Sequence, residues 1–215
     1  MATDRLESAT REFSVPGGVA RVHGFAPSAA SVAKGWVLLG HGAGGGSGAA
    51  DLQALAGDLP RYGWGVQLIE QPWRVAGRKV AAAPPKLDSA WLAVVRQLDL
   101  GGRVVFGGRS AGARVACRTA ADGGAVGVLA LAFPLHPPGR PERSRAVELD
   151  LAVPLLVVQG GRDPFGRPGE FPVGAAVAVV PGADHAFGCS LGGPLTTVEA
   201  RAVLVRHALN WLNGI

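Results

Sequence analysis

Cysteine is scarce in this chain. Cys117 and Cys189 are the only two, and they lie far apart. Two such thiols build no disulfide framework, and they point to a reducing compartment. Charged residues are few, at 17% of 215. The formal charge of +5 is carried mostly by arginine, with no Lys/Arg run and no aromatic-rich basic strand. That pattern argues against a nucleic-acid partner. No apolar stretch approaches the about 20 residues needed to span a bilayer. The segment from Met1 to Phe13 carries acids and no apolar core, unlike a secretory leader. A cytoplasmic protein with no membrane partner is expected. What the chain does have is 48% hydrophobic residues, enough for one α/β domain over residues 1–215 with a sizeable core.

Apolar runs alternate with helical periodicity. Glu12–Val15 and Val19–Phe25 read as a hairpin around Pro16-Gly17-Gly18. Further strands are expected at residues 36–39, 65–70, 103–107, 126–133, 154–159 and 176–180. Helices are expected at 50–59, 86–98, 111–121 and 198–212, with Ala81–Pro85 as a loop. Strands that alternate with helices imply a mostly parallel sheet with helices on both faces. Ligands of such sheets bind beyond the carboxyl ends of the strands.

At one strand end stands Gly108-Arg109-Ser110-Ala111-Gly112, directly after Val104-Val105-Phe106. Strand, Gly-x-Ser-x-Gly and helix form the layout of a nucleophile elbow. A serine hydroxyl needs a base, and the base needs a carboxylate to orient it. In this layout the chain order is Ser, acid, His. Asp163 follows the strand ending at Gln159, and His185 follows the strand ending at Val180. Both lie where the rule requires, so Ser110, Asp163 and His185 are the catalytic candidates. Asp184 reads as a turn residue, His207 as a surface residue and His23 as part of the hairpin. Cys189 lacks an elbow of its own.

Attack on a carbonyl also needs donors for the oxyanion. Ala111 N–H is one candidate, because it follows the nucleophile. Ala43 N–H is the other, with Gly44 next, in His41-Gly42-Ala43-Gly44-Gly45-Gly46. His41 is expected to brace this loop. The same stretch, Gly40 to Gly45, also fits the dinucleotide fingerprint G-x-G-x-x-G, with Glu70 as a ribose ligand. That oxidoreductase alternative leaves Ser110, Asp163 and His185 without a role, and its spacing to Glu70 is long.

Together these residues resemble the α/β-hydrolase superfamily over nearly the whole chain. Residues 133–142 and Gln159-Gly160-Gly161-Arg162-Asp163-Pro164-Phe165-Gly166 are similar to segments of its small, lidless, dienelactone-hydrolase-like branch. That branch includes many predicted bacterial hydrolases and relatives among eukaryotic chromatin-complex subunits. The resemblance implies an α/β-hydrolase fold with no cap domain. Ser110, Asp163 and His185 fall on the family's nucleophile, acid and base positions, and Ala43 and Ala111 on its oxyanion positions. Serine stands where dienelactone hydrolases proper carry cysteine.

The implied activity is hydrolysis of a small-molecule ester or thioester with no metal and no organic cofactor. The alternative is a non-catalytic scaffold that keeps the fold. The loops 71–78, with Trp73, and 135–145 should wall an open site. Arg109 is a further substrate-binding candidate, and His136 either joins it or is a loop histidine held by its flanking prolines. Arg109, Arg140, Arg143 and Arg145 either gather at the mouth, favouring anionic substrates, or belong to a solvated surface.

Overall fold

The protein is described by a computed structural model covering residues 8–215. Most of the acid-bearing segment that argues against a leader, residues 1–7, lies outside the described residues. Among the described residues, eight strands form one sheet: β1 (Ser8–Val15), β2 (Gly18–Phe25), β3 (Gly35–Gly40), β4 (Trp64–Glu70), β5 (Val104–Arg109), β6 (Gly127–Leu131), β7 (Leu155–Gly160) and β8 (Val177–Val180). Their spatial order is β1-β2-β4-β3-β5-β6-β7-β8. The β1–β2 hairpin and the β2–β4 pair are antiparallel, and every pairing from β4 to β8 is parallel. The hairpin closes through Pro16 and Gly17, with Gly17 at φ +93°. Proline followed by a glycine at positive φ suits a tight turn.

Among the described residues, five α-helices cover the sheet: α1 (Ala50–Asp58), α2 (Pro72–Val75), α3 (Pro84–Gln97), α4 (Ala111–Thr119) and α5 (Thr197–Leu212). Alternate residues of each strand serve opposite faces. Val37, Leu39, Val105 and Leu129 pack with Leu52 and Leu55 of α1 and with Leu204 and Ala208 of α5. Leu38, Phe106, Val128 and Ala130 pack with Trp91 of α3 and Ala116 of α4. Trp91 is fully buried and meets Phe106 edge-on, with ring centroids 5.5 Å apart. Truncating such a side chain costs about 3–5 kcal/mol.

Two local features differ from the periodicity. The helix expected from Lys86 begins at Pro84, and Pro84 and Pro85 fill its first two positions. Proline lacks an N–H that these positions would leave unpaired anyway. Pro72 likewise opens the helical turn α2, which places Trp73 inside. Between β6 and β7 lie only two 3₁₀ turns, Pro141–Arg143 and Ala146–Leu149. Among the described residues no cap domain interrupts the sheet. The second of these turns is fastened to α4, where Glu148 accepts from Arg114 and Arg118. The carboxyl end of the sheet therefore stays uncovered there, with the loops after β3, β5, β7 and β8 converging on it.

Candidate active site

Ser110 joins β5 to α4 with φ +54° and ψ −111°. A non-glycine residue in that region stores about 1–3 kcal/mol of strain and persists only where its surroundings fix it. Here Ser110 N–H donates to the Leu131 carbonyl at the end of β6, at 2.9 Å. The flanking glycines leave room for backbone. A Cβ at Gly108 would sit 2.6 Å from the Gly40 carbonyl oxygen, and one at Gly112 would collide with the same carbonyl. α4 is thus seated directly on the end of β3. Gly42 also abuts the elbow, since a Cβ there would lie 3.4 Å from Ser110 Cβ.

His185 connects the other two candidates. Its Nδ1–H donates to Asp163 Oδ2 at 2.7 Å. Nε2 is left to accept from Ser110 Oγ, at 2.9 Å. Asp163 is fully buried, and its oxygens are all engaged. Oδ1 accepts from Phe165 N–H at 2.8 Å, and Oδ2 also accepts from Gln159 Nε2 at 2.9 Å. Gln159 in turn donates to the Gly166 carbonyl at 2.8 Å and reaches the Phe133 carbonyl at 3.3 Å. The Phe165 ring lies against the imidazole, with centroids 4.3 Å apart. Asp184 takes no part in the chain from Ser110 to Asp163. Its Oδ1 accepts from the N–H groups of Ala186 and Gly188 and shapes the turn that carries His185.

Sequence reasoning missed Gln159 and Phe165. Gln159 had a visible signal, as the one amide in an otherwise apolar strand, four residues before the aspartate.

Opposite His185 lies the glycine loop. Gln71 N–H donates to His41 Nε2 at 3.1 Å, so His41 Nδ1–H donates to the Gly42 carbonyl at 2.9 Å. Burial pushes His41 below the usual imidazole range, which suits this neutral tautomer. At the far end of the loop Glu70 accepts from Ser47 N–H at 3.2 Å. Burial pushes Glu70 up, but the Ser47 bonds and the neighbouring His23 outweigh it and hold the carboxyl below its usual range. Glu70 therefore ties down the loop instead of awaiting a ribose. Among the described residues, no backbone acceptor takes the Ala43 or Ala111 N–H. Gly44 has open space around it.

Trp73 and Arg109 sit differently from the expectation, and His136 is held by its own loop. Trp73 is no exposed wall; it is buried and packs against His41, with ring centroids 5.5 Å apart. His136 is buried as well. Its Nδ1–H donates to the Pro137 carbonyl, and Nε2 faces Glu170 at 3.5 Å. Arg109 is mostly turned into the protein. Its Nε pairs with buried Asp51 at 3.1 Å, and another nitrogen of the fork donates to the His185 carbonyl at 3.0 Å. Arg145 donates to the Pro134 carbonyl, so it too has a partner within its own loop. Among the described residues, no group of three or more His, Cys, Asp or Glu could hold a metal ion. No helix there is long and apolar enough to cross a membrane.

Comparison with known proteins agrees with this architecture. Residues 33–212 match a family described as an alpha/beta hydrolase domain. No curated protein matches the chain. Among solved structures, a lidless α/β serine hydrolase from Xanthomonas campestris is 19% identical, with TM-score 0.72, covering 98% of this chain and 96% of its own. An α/β serine hydrolase homologue from Coxiella burnetii is 20% identical, with TM-score 0.74, covering 93% and 96%. A dienelactone hydrolase from Anabaena variabilis is 18% identical, with TM-score 0.72, covering 97% of each chain.

Proposed function

Because the chain belongs to the alpha/beta hydrolase domain family, we propose that it is a serine hydrolase of small carboxylic esters or thioesters, acting through an acyl-enzyme. The observation that carries this reading is the His185 imidazole, bonded to Ser110 Oγ at 2.9 Å on one side and to Asp163 at 2.7 Å on the other. In the proposed reaction Ser110 Oγ attacks the carbonyl carbon while His185 Nε2 takes its proton. His185 then returns that proton to the departing alcohol or thiol. Asp163 holds the imidazole in the productive tautomer and stabilises its charged form. The Ala43 and Ala111 N–H groups, with Gly44 alongside, receive the oxyanion, each donor contributing about 10²–10³ in kcat. Water, activated by the same imidazole, cleaves the acyl-enzyme.

No step in this scheme calls on a metal or an organic cofactor. The uncovered end of the sheet suits a small polar substrate that reaches the site without a lid opening. The free thiols of Cys117 and Cys189 support work in the cytoplasm, and we read residues 1–215 as one catalytic domain.

A fluorophosphonate probe tests this function. It should label the wild type and leave Ser110→Ala unlabelled. A folded wild type that never labels, and cleaves none of a graded panel of p-nitrophenyl and CoA esters, would refute the proposal and favour a scaffold role.

A further inference from the structure

We infer that Arg109 is a positioning residue for His185, fixing the base relative to the nucleophile from inside the elbow; this rests on the serine-hydrolase reading above. Arg109 is covalently next to Ser110, and its guanidinium donates to the His185 carbonyl at 3.0 Å. The His185 side chain returns to Ser110 Oγ at 2.9 Å. Backbone, guanidinium, carbonyl and imidazole thus close a ring that contains both reacting side chains. Without the Arg109 link, the spacing of Ser110 and His185 would depend on two separate loops. With it, one planar side chain spans the gap.

The fork is held on its other side. Arg109 Nε pairs with Asp51 in the first turn of α1, and Asp51 is only 3% exposed. Burial pushes the Asp51 carboxyl up, and Arg109 is the leading influence that draws it back down. A third nitrogen of the fork lies under the glycine loop, where a Cβ at Gly42 would sit 3.2 Å from it. The guanidinium side chain is 15% exposed. With three sides engaged by protein, it is set to hold geometry, not to greet a substrate. Lysine cannot reproduce this, because a single ammonium lacks the planar fork that reaches both partners.

The test uses the full chain and p-nitrophenyl acetate, with fluorophosphonate labelling rate as a second readout. Arg109→Gln is combined with Asp51→Asn, so that no buried charge is left unpaired. Turnover should fall about 10²-fold, the scale expected for a misplaced catalytic group, with KM unchanged and the melting transition retained. In a His185→Ala background the same pair should cause no further drop in the residual labelling rate, because its effect passes through His185. Asp51→Asn alone, which keeps the bond to His185, should lose less than the pair. Arg109→Lys keeps a cation against Asp51 and should still lose about tenfold, which decides the matter if the pair does not fold.

Wild-type turnover in the folded pair or in Arg109→Lys would overturn the proposal. So would a loss that persists without His185, a loss in Asp51→Asn equal to that of the pair, or one that tracks loss of folded protein. If the wild type itself never labels, the hydrolase reading fails instead, and the two failures are told apart.

Discussion

Between Asp163 and His185 every polar side-chain atom has a partner inside the protein. The glycine loop across Ser110 is fastened differently, through His41 at one end and Ser47 at the other. Between those anchors, Gly44 and Gly45 would each accept a Cβ without meeting another atom. Under the proposed mechanism the contrast follows from what each side must do. A proton shuttle needs an imidazole fixed in one tautomer and one direction, which takes side-chain hydrogen bonds. An oxyanion donor is a backbone N–H, so the loop only has to keep its main chain in place and clear of side chains.

Breaking the densely bonded side should have the largest effect. Asp163→Asn should lower kcat about 10⁴-fold, the scale known for a carboxylate whose loss leaves the wrong tautomer. Asp184→Asn should stay close to wild type, because an amide oxygen can still accept from Ala186 and Gly188 N–H. Steady-state kinetics on one p-nitrophenyl ester separates the two. The reverse ranking would mean that the acid has been misassigned.

Next in size is Gln159→Leu. It removes donors from Asp163 and from the Gly166 carbonyl, and a hydrogen bond to a charged group contributes about 1.5–3 kcal/mol. Urea unfolding should show a loss on that scale. An unchanged midpoint would mean that Gln159 is not what steadies Asp163.

The glycines sharpen the comparison by steric means. Gly112→Ala should destabilise strongly, since its methyl would strike the Gly40 carbonyl. Gly45→Ala has open space and no positive φ. It should be neutral, or stabilising by about 0.4–1 kcal/mol through the unfolded chain. Thermal melts of the two variants give the answer, and a loss at position 45 equal to that at 112 would erase the distinction.

The smallest expected effect is a pH dependence on the loop side. The folded His41 pKa lies below its unfolded value of about 6.5. As pH falls through that value, the unfolded imidazole takes up a proton that the buried one refuses, so stability falls. Glu70 acts in the same direction at lower pH. Its folded pKa is depressed, so its contribution is present above the ordinary carboxylate range and is lost as pH falls through the folded value. Denaturation midpoints at pH 7.5 and 5.5 should differ for the wild type and differ less for His41→Asn. Parallel curves would remove His41 from this account.

Strand and helix order were legible because apolar alternation reports burial directly, as with Val37, Leu38 and Leu39 facing two cores. The placement of Ser110, Asp163 and His185 beyond strand ends was legible too, since each follows an apolar run. What escaped were interactions set by side-chain direction across distant elements. Nothing near Arg109 in the chain announces Asp51 or the His185 carbonyl as its partners. Trp73 pointed inward because Pro72 starts a helical turn, a choice that a short polar-looking segment does not advertise. Gln159 could have been noticed, since most buried amides find a partner.

Gly40 and Gly112 touch backbone to backbone, with no side chain between β3 and the helix that starts just after Ser110. A contact without rotamers has no soft coordinate to absorb motion. Thermal displacement of the elbow should therefore carry the root of the glycine loop with it. The separation between Ser110 and the proposed oxyanion donor would then fluctuate less than either part alone, a form of vibration cancelling that two missing methyl groups make possible.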